Sequence, residues 1–298
     1  MPNRLAEHLT TWKAWYAVVA TLVVPLGSMA AMLGSLVPSE DPATQNLVTS
    51  LFVPVQFVVI AFLAVGLLAL ASRRWPTTRD LGFEPRLTSR QLGLVILVFV
   101  VSHALFWLIS LTEPEVPGQA RTLFVQTGLN GPLVPAVAGI VSSVILAPVC
   151  EELLYRGAML RPIHDALARR GRAGLGAVAG ILFSSLAFAL PHLGGSLTGA
   201  MAASYLLTGI AFGLVYVVTG SMTAAMVSHS LQSCFAFAQV LLFGRGDDYV
   251  SPILWIIVFG CPLWTYLCAK ALHAVFPKGS NREGAAVANA GVPRQSPE

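Results

Sequence analysis

Long apolar segments recur along the chain, and each is about as long as a lipid bilayer is thick. A bilayer core is crossed by about 20 helical residues, so apolar windows of that length predict membrane-spanning helices. Eight such segments are predicted: Ala14 to Val37, Val48 to Ala71, Leu92 to Leu111, Leu133 to Leu154, Ala173 to His192, Met201 to Thr219, Ser221 to Leu242 and Pro252 to Phe276. The pattern predicts an all-α, polytopic membrane helical bundle. It forms one transmembrane domain over residues 1–276, followed by a disordered cytoplasmic tail over residues 277–298.

The basic residues are distributed unevenly between the two sides of this map. With a cytoplasmic N-terminus, sixteen of the eighteen Lys and Arg residues fall in cytoplasmic segments, and only Arg121 and Arg245 fall outside. Because Lys and Arg concentrate on the cytoplasmic side of membrane proteins, both termini are predicted to be cytoplasmic, which requires an even number of spans. The two longest cytoplasmic loops, 72–91 and 155–172, are basic and could also lie on anionic lipid.

Composition supports a membrane protein and excludes several other classes. The chain is 55% hydrophobic and only 11% charged, which is too apolar for an ordinary soluble domain. Its four cysteines lie in apolar segments without CxxC spacing, so neither a zinc knuckle nor a disulfide framework is indicated. Basic residues do not alternate with aromatic ones in a cluster, so nucleic acid is not expected as a partner. Membrane lipids are the expected partners.

One pair of acidic residues stands out against this apolar background. Glu151 and Glu152 are the only carboxylates in or directly at the end of a predicted span, and ionisable groups at membrane depth usually mark function. Glu152 and Arg156 are four residues apart, so they share a helix face and can form an ion pair. Glu151 is rotated by about 100° and is free to face something else. The alternative is a glutamate pair that merely ends a helix at the membrane surface.

Two later segments each add a histidine. Pro191 precedes His192 and can break the fifth span beside the imidazole. His229 lies eight or nine residues into the seventh span, with Gln232 and Ser233 on or near its face. The alternatives are an interfacial histidine at His192 and a helix-packing hydrogen bond at His229.

Taken in order, these residues resemble the signature of the CPBP intramembrane proteases, which include the type II CAAX prenyl endopeptidases and bacterial relatives linked to bacteriocin processing and immunity. The matching residues are Glu151, Glu152 and Arg156, then Phe188 and His192, then His229. The motifs span residues 151–233. One position departs, because the family has Asn four residues after the last histidine and this chain has Ser233. That amide is thought to stabilise the oxyanion, and Gln232 could supply an amide instead.

The resemblance implies a set of catalytic roles. Glu151 would activate water for attack on a peptide bond, while Glu152 and Arg156 would hold the helix end and orient Glu151. His192 and His229 would polarise the carbonyl and the oxyanion, or would bind a divalent metal such as zinc together with Glu151. The chain has no His-Glu-x-x-His, so it is not a standard zincin.

The linear map places these groups at different depths. The fourth span ends near Glu151 on the cytoplasmic side, whereas His192 ends the fifth span near the outer face. For the three groups to converge, His192 must lie deeper, and residues Gly194–Gly199 are predicted to form a re-entrant or recessed loop.

The sequence therefore predicts an intramembrane endopeptidase, multi-pass in the cell membrane of a bacterium. Its substrate would be a peptide or membrane protein, which in the family can be lipidated. Two alternatives stay open: a non-catalytic immunity or scaffold protein of the same fold, which Ser233 favours, and a proton-coupled transporter that uses the glutamates as a relay.

Overall fold

Apolar helices form nearly all of the chain in a computed structural model that describes residues 3–36, 42–84, 86–111, 119–193 and 199–278. The helices are α1 (Trp15–Ala20), α2 (Val23–Met32), α3 (Pro42–Ser72), α4 (Thr78–Leu81), α5 (Ser89–Ser110), α6 (Gln119–Gln126), α7 (Leu133–Ala168), α8 (Ala173–Ala189), α9 (Gly199–Thr219), α10 (Met222–Gly244) and α11 (Pro252–Val275). Short 3₁₀ turns cover Arg4–Glu7, Leu33–Leu36 and Leu190–Leu193. The described residues contain no β-strand. The predicted all-α polytopic bundle is confirmed.

Seven of the described helices are long and apolar enough to cross a membrane, rather than the eight predicted. The difference lies in the first predicted span, where α1 ends at Ala20 and α2 begins at Val23. Pro25 has no N–H to donate to the carbonyl of Thr21, so the helical ladder is interrupted there. The other seven predicted spans coincide with long helices. The predicted tail lies outside the described residues from position 279, and the predicted loop does so at 194–198.

Helix α7 is longer than predicted and carries the acidic pair near its middle. The sequence map ends this span at Leu154 and predicts a loop over 155–172, but the structure continues the helix to Ala168. Leu153–Leu160 is entirely buried, including Arg156. The prediction of a polar loop is wrong here because ion pairs within the helix neutralise its charges: Arg156 pairs with Glu152 at 3.0 Å and Arg161 with Asp165 at 2.9 Å.

Two π-helical stretches interrupt α7, at Ser142–Leu146 and at Leu153–Leu160. They flank the α-helical turns of Ala147–Glu152, which hold both glutamates. Such wide turns are rare and often occur at functional sites.

Helices α8 and α9 approach closely because glycines line their contact. A Cβ on Gly209 would meet the Cα of Ser185 at 2.9 Å, and a Cβ on Gly213 would meet Cγ1 of Ile181 at 3.2 Å. Small residues of this kind let membrane helices pack backbone to backbone. The close contact places α9 beside the part of α7 that carries Arg156.

The start of α10 is tied to the turn after α4, and this fixes the register of the helix that carries His229. The Met222 N–H donates to the carbonyl of Gly82 at 2.7 Å, and Ser221 caps α10 through the N–H of Ala224. Both Gly82 (φ 75°) and Gly220 (φ 68°) adopt the left-handed conformation that glycine tolerates.

Candidate active site

A cavity of about 770 Å³ lies between α3, α5, α7, α8, α9 and α10. Its polar lining includes Glu151, His192 and His229, and Gln232 and Ser233 face the same space. Three motifs that are separated by up to 82 positions in the sequence are therefore brought together around one volume. The size falls in the usual range of ligand pockets.

Glu152 points away from the cavity into the protein and is fully buried. Its Oε1 accepts two hydrogen bonds, one from Arg156 Nη1 at 3.0 Å and one from His229 Nδ1 at 2.9 Å. Arg156, also fully buried, donates from Nη2 to the carbonyl of Gly209 at 2.7 Å. This network links α7, α9 and α10 behind the cavity.

Aromatic rings surround the buried cation. The Arg156 guanidinium lies 5.8 Å from the Phe188 ring centroid and 5.4 Å from that of Phe212, within the range of cation–π attraction. Phe212 also stacks on the His229 imidazole, with centroids 4.5 Å apart and planes inclined by 21°. The stacking and the Glu152 hydrogen bond together fix the orientation of His229.

His192 is held by its own helix end. The chain passes from α8 into the 3₁₀ turn at Leu190, and this turn lets His192 Nδ1 reach the carbonyl of Phe188 at 2.8 Å. The imidazole stacks on Tyr205 of α9, with centroids 4.4 Å apart. The Phe188 ring contacts both imidazoles, at centroid distances of 5.0 Å to His192 and 5.7 Å to His229. The two histidines are thus neighbours across one aromatic side chain.

The hydrogen bonds define which nitrogen of each imidazole carries a proton. A carbonyl oxygen and a carboxylate only accept, so Nδ1 of His192 and Nδ1 of His229 must both be donors. Nε2 of each ring has no partner among the described residues. In the neutral ring it offers a lone pair, and in the protonated ring it offers an N–H.

Glu151 is the carboxylate that can react. It is half-buried, it faces the cavity, and it forms no hydrogen bond with the described residues. Gln232 and Ser233 lie on the α10 wall, one turn beyond His229. The site thus combines one unpaired carboxylate, two oriented imidazoles, an amide and a hydroxyl.

Sequence reasoning anticipated most of these positions but not the partner of Glu152. It paired Glu152 with Arg156, as observed, and assigned both to orienting Glu151, whereas the structure places Glu152 on His229. It missed Tyr205, Phe212 and the carbonyl of Gly209, which carry no signal in a single sequence because each is an ordinary helical residue. The predicted convergence of Glu151, His192 and His229 on one space is observed.

The donor set resembles a zinc site in chemistry, but its spacing does not fit one. Zinc-bound histidines commonly donate their second N–H to a carboxylate or a backbone carbonyl, as His229 and His192 do here. However, no three His, Cys, Asp or Glu side chains in the described part of the chain are arranged to hold a metal ion.

Fold and site together define a multi-pass membrane protein with a carboxylate and two imidazoles around a cavity inside the bundle. Residues 132–235, about a third of the chain, match a protein family described as type II CAAX prenyl endopeptidase Rce1-like. The matched segment contains all three motifs, and the predicted resemblance to the CPBP family is confirmed over these residues. The match supports a CAAX-type intramembrane protease at the level of the family. No curated protein and no solved structure matches the chain.

Proposed function

We propose that the protein is an intramembrane endopeptidase of the cell membrane in which Glu151 activates water to cleave a peptide bond. The observation that carries the proposal is the shared cavity, which Glu151, His192 and His229 all line. Glu151 is the only Asp or Glu among the described residues that line it, so it is the natural general base.

The proposed reaction uses these groups in turn. The Glu151 carboxylate accepts a proton from a water molecule, and the water oxygen forms a bond to the carbonyl carbon of the peptide. Nε2 of a protonated imidazole, aided by the Gln232 amide, donates to the oxyanion that develops. The C–N bond then breaks as the nitrogen takes the proton from Glu151, which leaves a new carboxyl group and a new amine.

His229 and His192 hold different positions in this scheme. The Glu152 side chain accepts the Nδ1–H of His229, which orients the ring and would stabilise an imidazolium that donates from Nε2 to the oxyanion. His192 has only a carbonyl partner and is oriented by stacking on Tyr205. Glu152 is therefore a positioning residue, because it acts through His229 and does not face the cavity.

The proposal is tested by comparing protein termini in membranes that contain the wild type, Glu151→Gln or Glu7→Gln. Glu7 is an exposed carboxylate far from the cavity and serves as the matched control. New N- and C-termini identified by mass spectrometry should appear with the wild type and Glu7→Gln and be absent with Glu151→Gln. Identical termini in all three, at equal protein levels, would overturn the proposal.

Metal dependence is a separate question with its own measurement. Because the three side chains are not arranged to hold an ion, we expect cleavage by the purified protein to survive a chelator and zinc analysis to show substoichiometric metal. A loss of cleavage that zinc restores, together with a loss of bound zinc in His192→Ala, would instead assign Glu151, His192 and His229 as ligands.

Ser233 supports a second candidate, a non-catalytic membrane immunity or scaffold protein of the same fold. Serine offers one short hydroxyl where the family has an amide, and removing one oxyanion donor can slow an enzyme by about 10²–10³. A phenotype that is lost on deletion of the protein but kept in Glu151→Gln would favour this function.

A further inference from the structure

Helix α9 brings a tyrosine to the cavity whose hydroxyl the proposed reaction does not use. Ser204, Tyr205 and Thr208 all line the cavity from the second and third turns of this helix. Thr208 Oγ1 donates to the carbonyl of Ser204 at 2.8 Å, so it is already occupied within the helix. The Tyr205 hydroxyl forms no hydrogen bond with the described residues, which leaves it available to a ligand.

Stacking holds the Tyr205 ring in place against a residue of the candidate active site. The ring lies on the His192 imidazole, with centroids 4.4 Å apart and planes inclined by 23°. His192 is itself fixed, because its Nδ1 donates to the carbonyl of Phe188 at 2.8 Å. Only two side-chain torsions move a tyrosine ring, so this stack also fixes the hydroxyl oxygen beside the imidazole.

The length of its side chain separates Tyr205 from the serines of the cavity. In Ser204 and Ser233 the hydroxyl is one carbon from the main chain and stays close to its own helix. Tyrosine instead carries the hydroxyl on a ring that extends from α9 as far as the imidazole of His192. It offers one O–H donor, and tyrosine hydroxyls are among the groups that stabilise oxyanions in enzymes.

We propose that Tyr205 is a further catalytic residue, whose hydroxyl donates a hydrogen bond to the carbonyl oxygen of the peptide bond under attack. It approaches that oxygen from the His192 side of the cavity, while His229 and Gln232 approach it from α10. The hydrogen bond strengthens as negative charge develops on the oxygen, and the proton stays on Tyr205 throughout. The proposal rests on the proposed function, because it requires a carbonyl that is attacked by water.

This role accounts for the serine at position 233. An oxyanion site with an additional donor on α9 depends less on an amide four residues after His229, where this chain has Ser233. A role in packing alone would need the Tyr205 ring but not its hydroxyl. Tyr205→Phe therefore separates the two roles, since it keeps a ring against His192 and removes only the donor.

Cleavage kinetics of the purified protein test the donor role. With a peptide that spans a site found in the comparison of termini, Tyr205→Phe should lower kcat by about 10²-fold. KM should change little, because the hydrogen bond strengthens only in the transition state. The matched control Tyr249→Phe removes an exposed hydroxyl that does not line the cavity and should behave as the wild type. A wild-type kcat in Tyr205→Phe would overturn the inference.

Binding of a transition-state mimic gives a readout that does not depend on cleavage. The probe is a blocked Ala–Leu peptide in which one peptide bond is replaced by a phosphinate, whose anionic oxygen stands in for the oxyanion. Tyr205→Phe should weaken binding of the phosphinate by about tenfold or more and leave binding of the parent peptide unchanged, because hydrogen bonds to charged groups are the stronger ones. Equal changes for both peptides would overturn the inference.

The outcomes separate this inference from the proposed function. Cleavage by the wild type, with kcat and phosphinate binding unchanged in Tyr205→Phe, would overturn the inference and leave the proposed function standing. A wild type that cleaves nothing, but binds the phosphinate through the Tyr205 hydroxyl, would refute the proposed function and leave the donor role standing. Tyr205→Phe should unfold at the wild-type temperature, because the hydroxyl it loses has no partner in the described chain.

Discussion

At the scale of single residues, the Glu152 carboxylate connects the fold to the chemistry. One of its oxygens binds both Arg156 and His229, whereas Oε2 is buried without a hydrogen-bond partner in the described chain. A buried carboxylate left without its cation is strongly destabilising, whereas removal of both partners is often much less so. The ion pair therefore stabilises the fold only while both Glu152 and Arg156 are present.

Substitution of Arg156 should expose this dependence. We expect Arg156→Met to lower the free energy of unfolding by about 3–5 kcal/mol, because it leaves Glu152 charged and buried. The double variant Glu152→Gln/Arg156→Met should recover part of that loss. The control Arg170→Met, at an exposed position, should stay within about 0.5 kcal/mol of the wild type. Thermal unfolding in detergent measures all three. An Arg156→Met protein as stable as Arg170→Met would contradict the role given to the pair.

Substitution of Ser233 is expected to increase activity rather than to reduce stability. If an amide at this position stabilises the oxyanion, Ser233→Asn should raise the cleavage rate by about tenfold or more. Gln232→Ala should slow the wild type but slow Ser233→Asn less, since the new amide replaces the lost one. The rate constants of the four proteins form a double-mutant cycle. Equal rates for the wild type and Ser233→Asn would show that position 233 does not face the oxyanion.

The contacts of single residues were predictable from the sequence where both partners lie on one helix and the helix period alone brings them together. The four-residue spacing of Glu152 and Arg156 predicted their ion pair, and the structure has it at 3.0 Å. The hydrogen bond from His229 to Glu152 joins residues 77 positions apart and depends on how α7 and α10 pack. A hydropathy pattern holds no information on that packing, so the sequence could not reveal it.

At the scale of helices, the contact between α8 and α9 sets the position of Arg156, because the carbonyl of Gly209 accepts one of its hydrogen bonds. We expect Gly209→Ala to cost about 1–3 kcal/mol of stability, since its Cβ would collide with Ser185. Gly66→Ala in α3 is the matched control, because a Cβ there meets nothing within 4 Å. It should be neutral or stabilising by up to about 1 kcal/mol. Equal unfolding temperatures for the two variants would contradict this packing.

The short helix α4 carries the buried Asp80, whose contribution to the stability of the fold depends on pH. Burial alone would raise the pKa of Asp80, but the nearby His8, at 3.5 Å, and hydrogen bonds from Arg74 and Thr77 outweigh it and hold the pKa well below its usual range. The unfolded carboxyl titrates near pH 4. Because the folded pKa is lower, the contribution of Asp80 to stability is present above about pH 4 and is lost as the pH falls below it. The difference in unfolding temperature between the wild type and Asp80→Asn should therefore shrink below about pH 4, whereas a constant difference from pH 7 to pH 3 would contradict this.

Helix boundaries were predictable only where apolar runs and helices coincide. Seven spans were located because lipid-facing side chains must be apolar along their whole length; Phe62 and Leu70 of α3 are 69% and 79% exposed on the protein surface. The prediction ended α7 too early because charges after Leu154 read as a loop. They are tolerated inside the bundle because each finds a partner four residues away.

At the scale of the whole molecule, the length of α7 resolves the conflict in depth that the linear map produced. Glu151 lies near the middle of a helix that runs from Leu133 to Ala168, and not at its cytoplasmic end. His192 therefore meets it in one cavity near the other end of the bundle. The sequence predicted that these residues converge but placed them at different depths, because depth depends on where a helix ends inside the protein.

The central claim is that water activated by Glu151 cleaves a peptide in this cavity, and cleavage in ¹⁸O-labelled water tests it most directly. A peptide spanning a site found in the comparison of termini is incubated with the purified wild type, Glu151→Gln and Glu7→Gln. The account predicts one ¹⁸O atom in the new carboxyl group with the wild type and Glu7→Gln, and no product with Glu151→Gln. Labelled product from folded Glu151→Gln at the wild-type rate would contradict it.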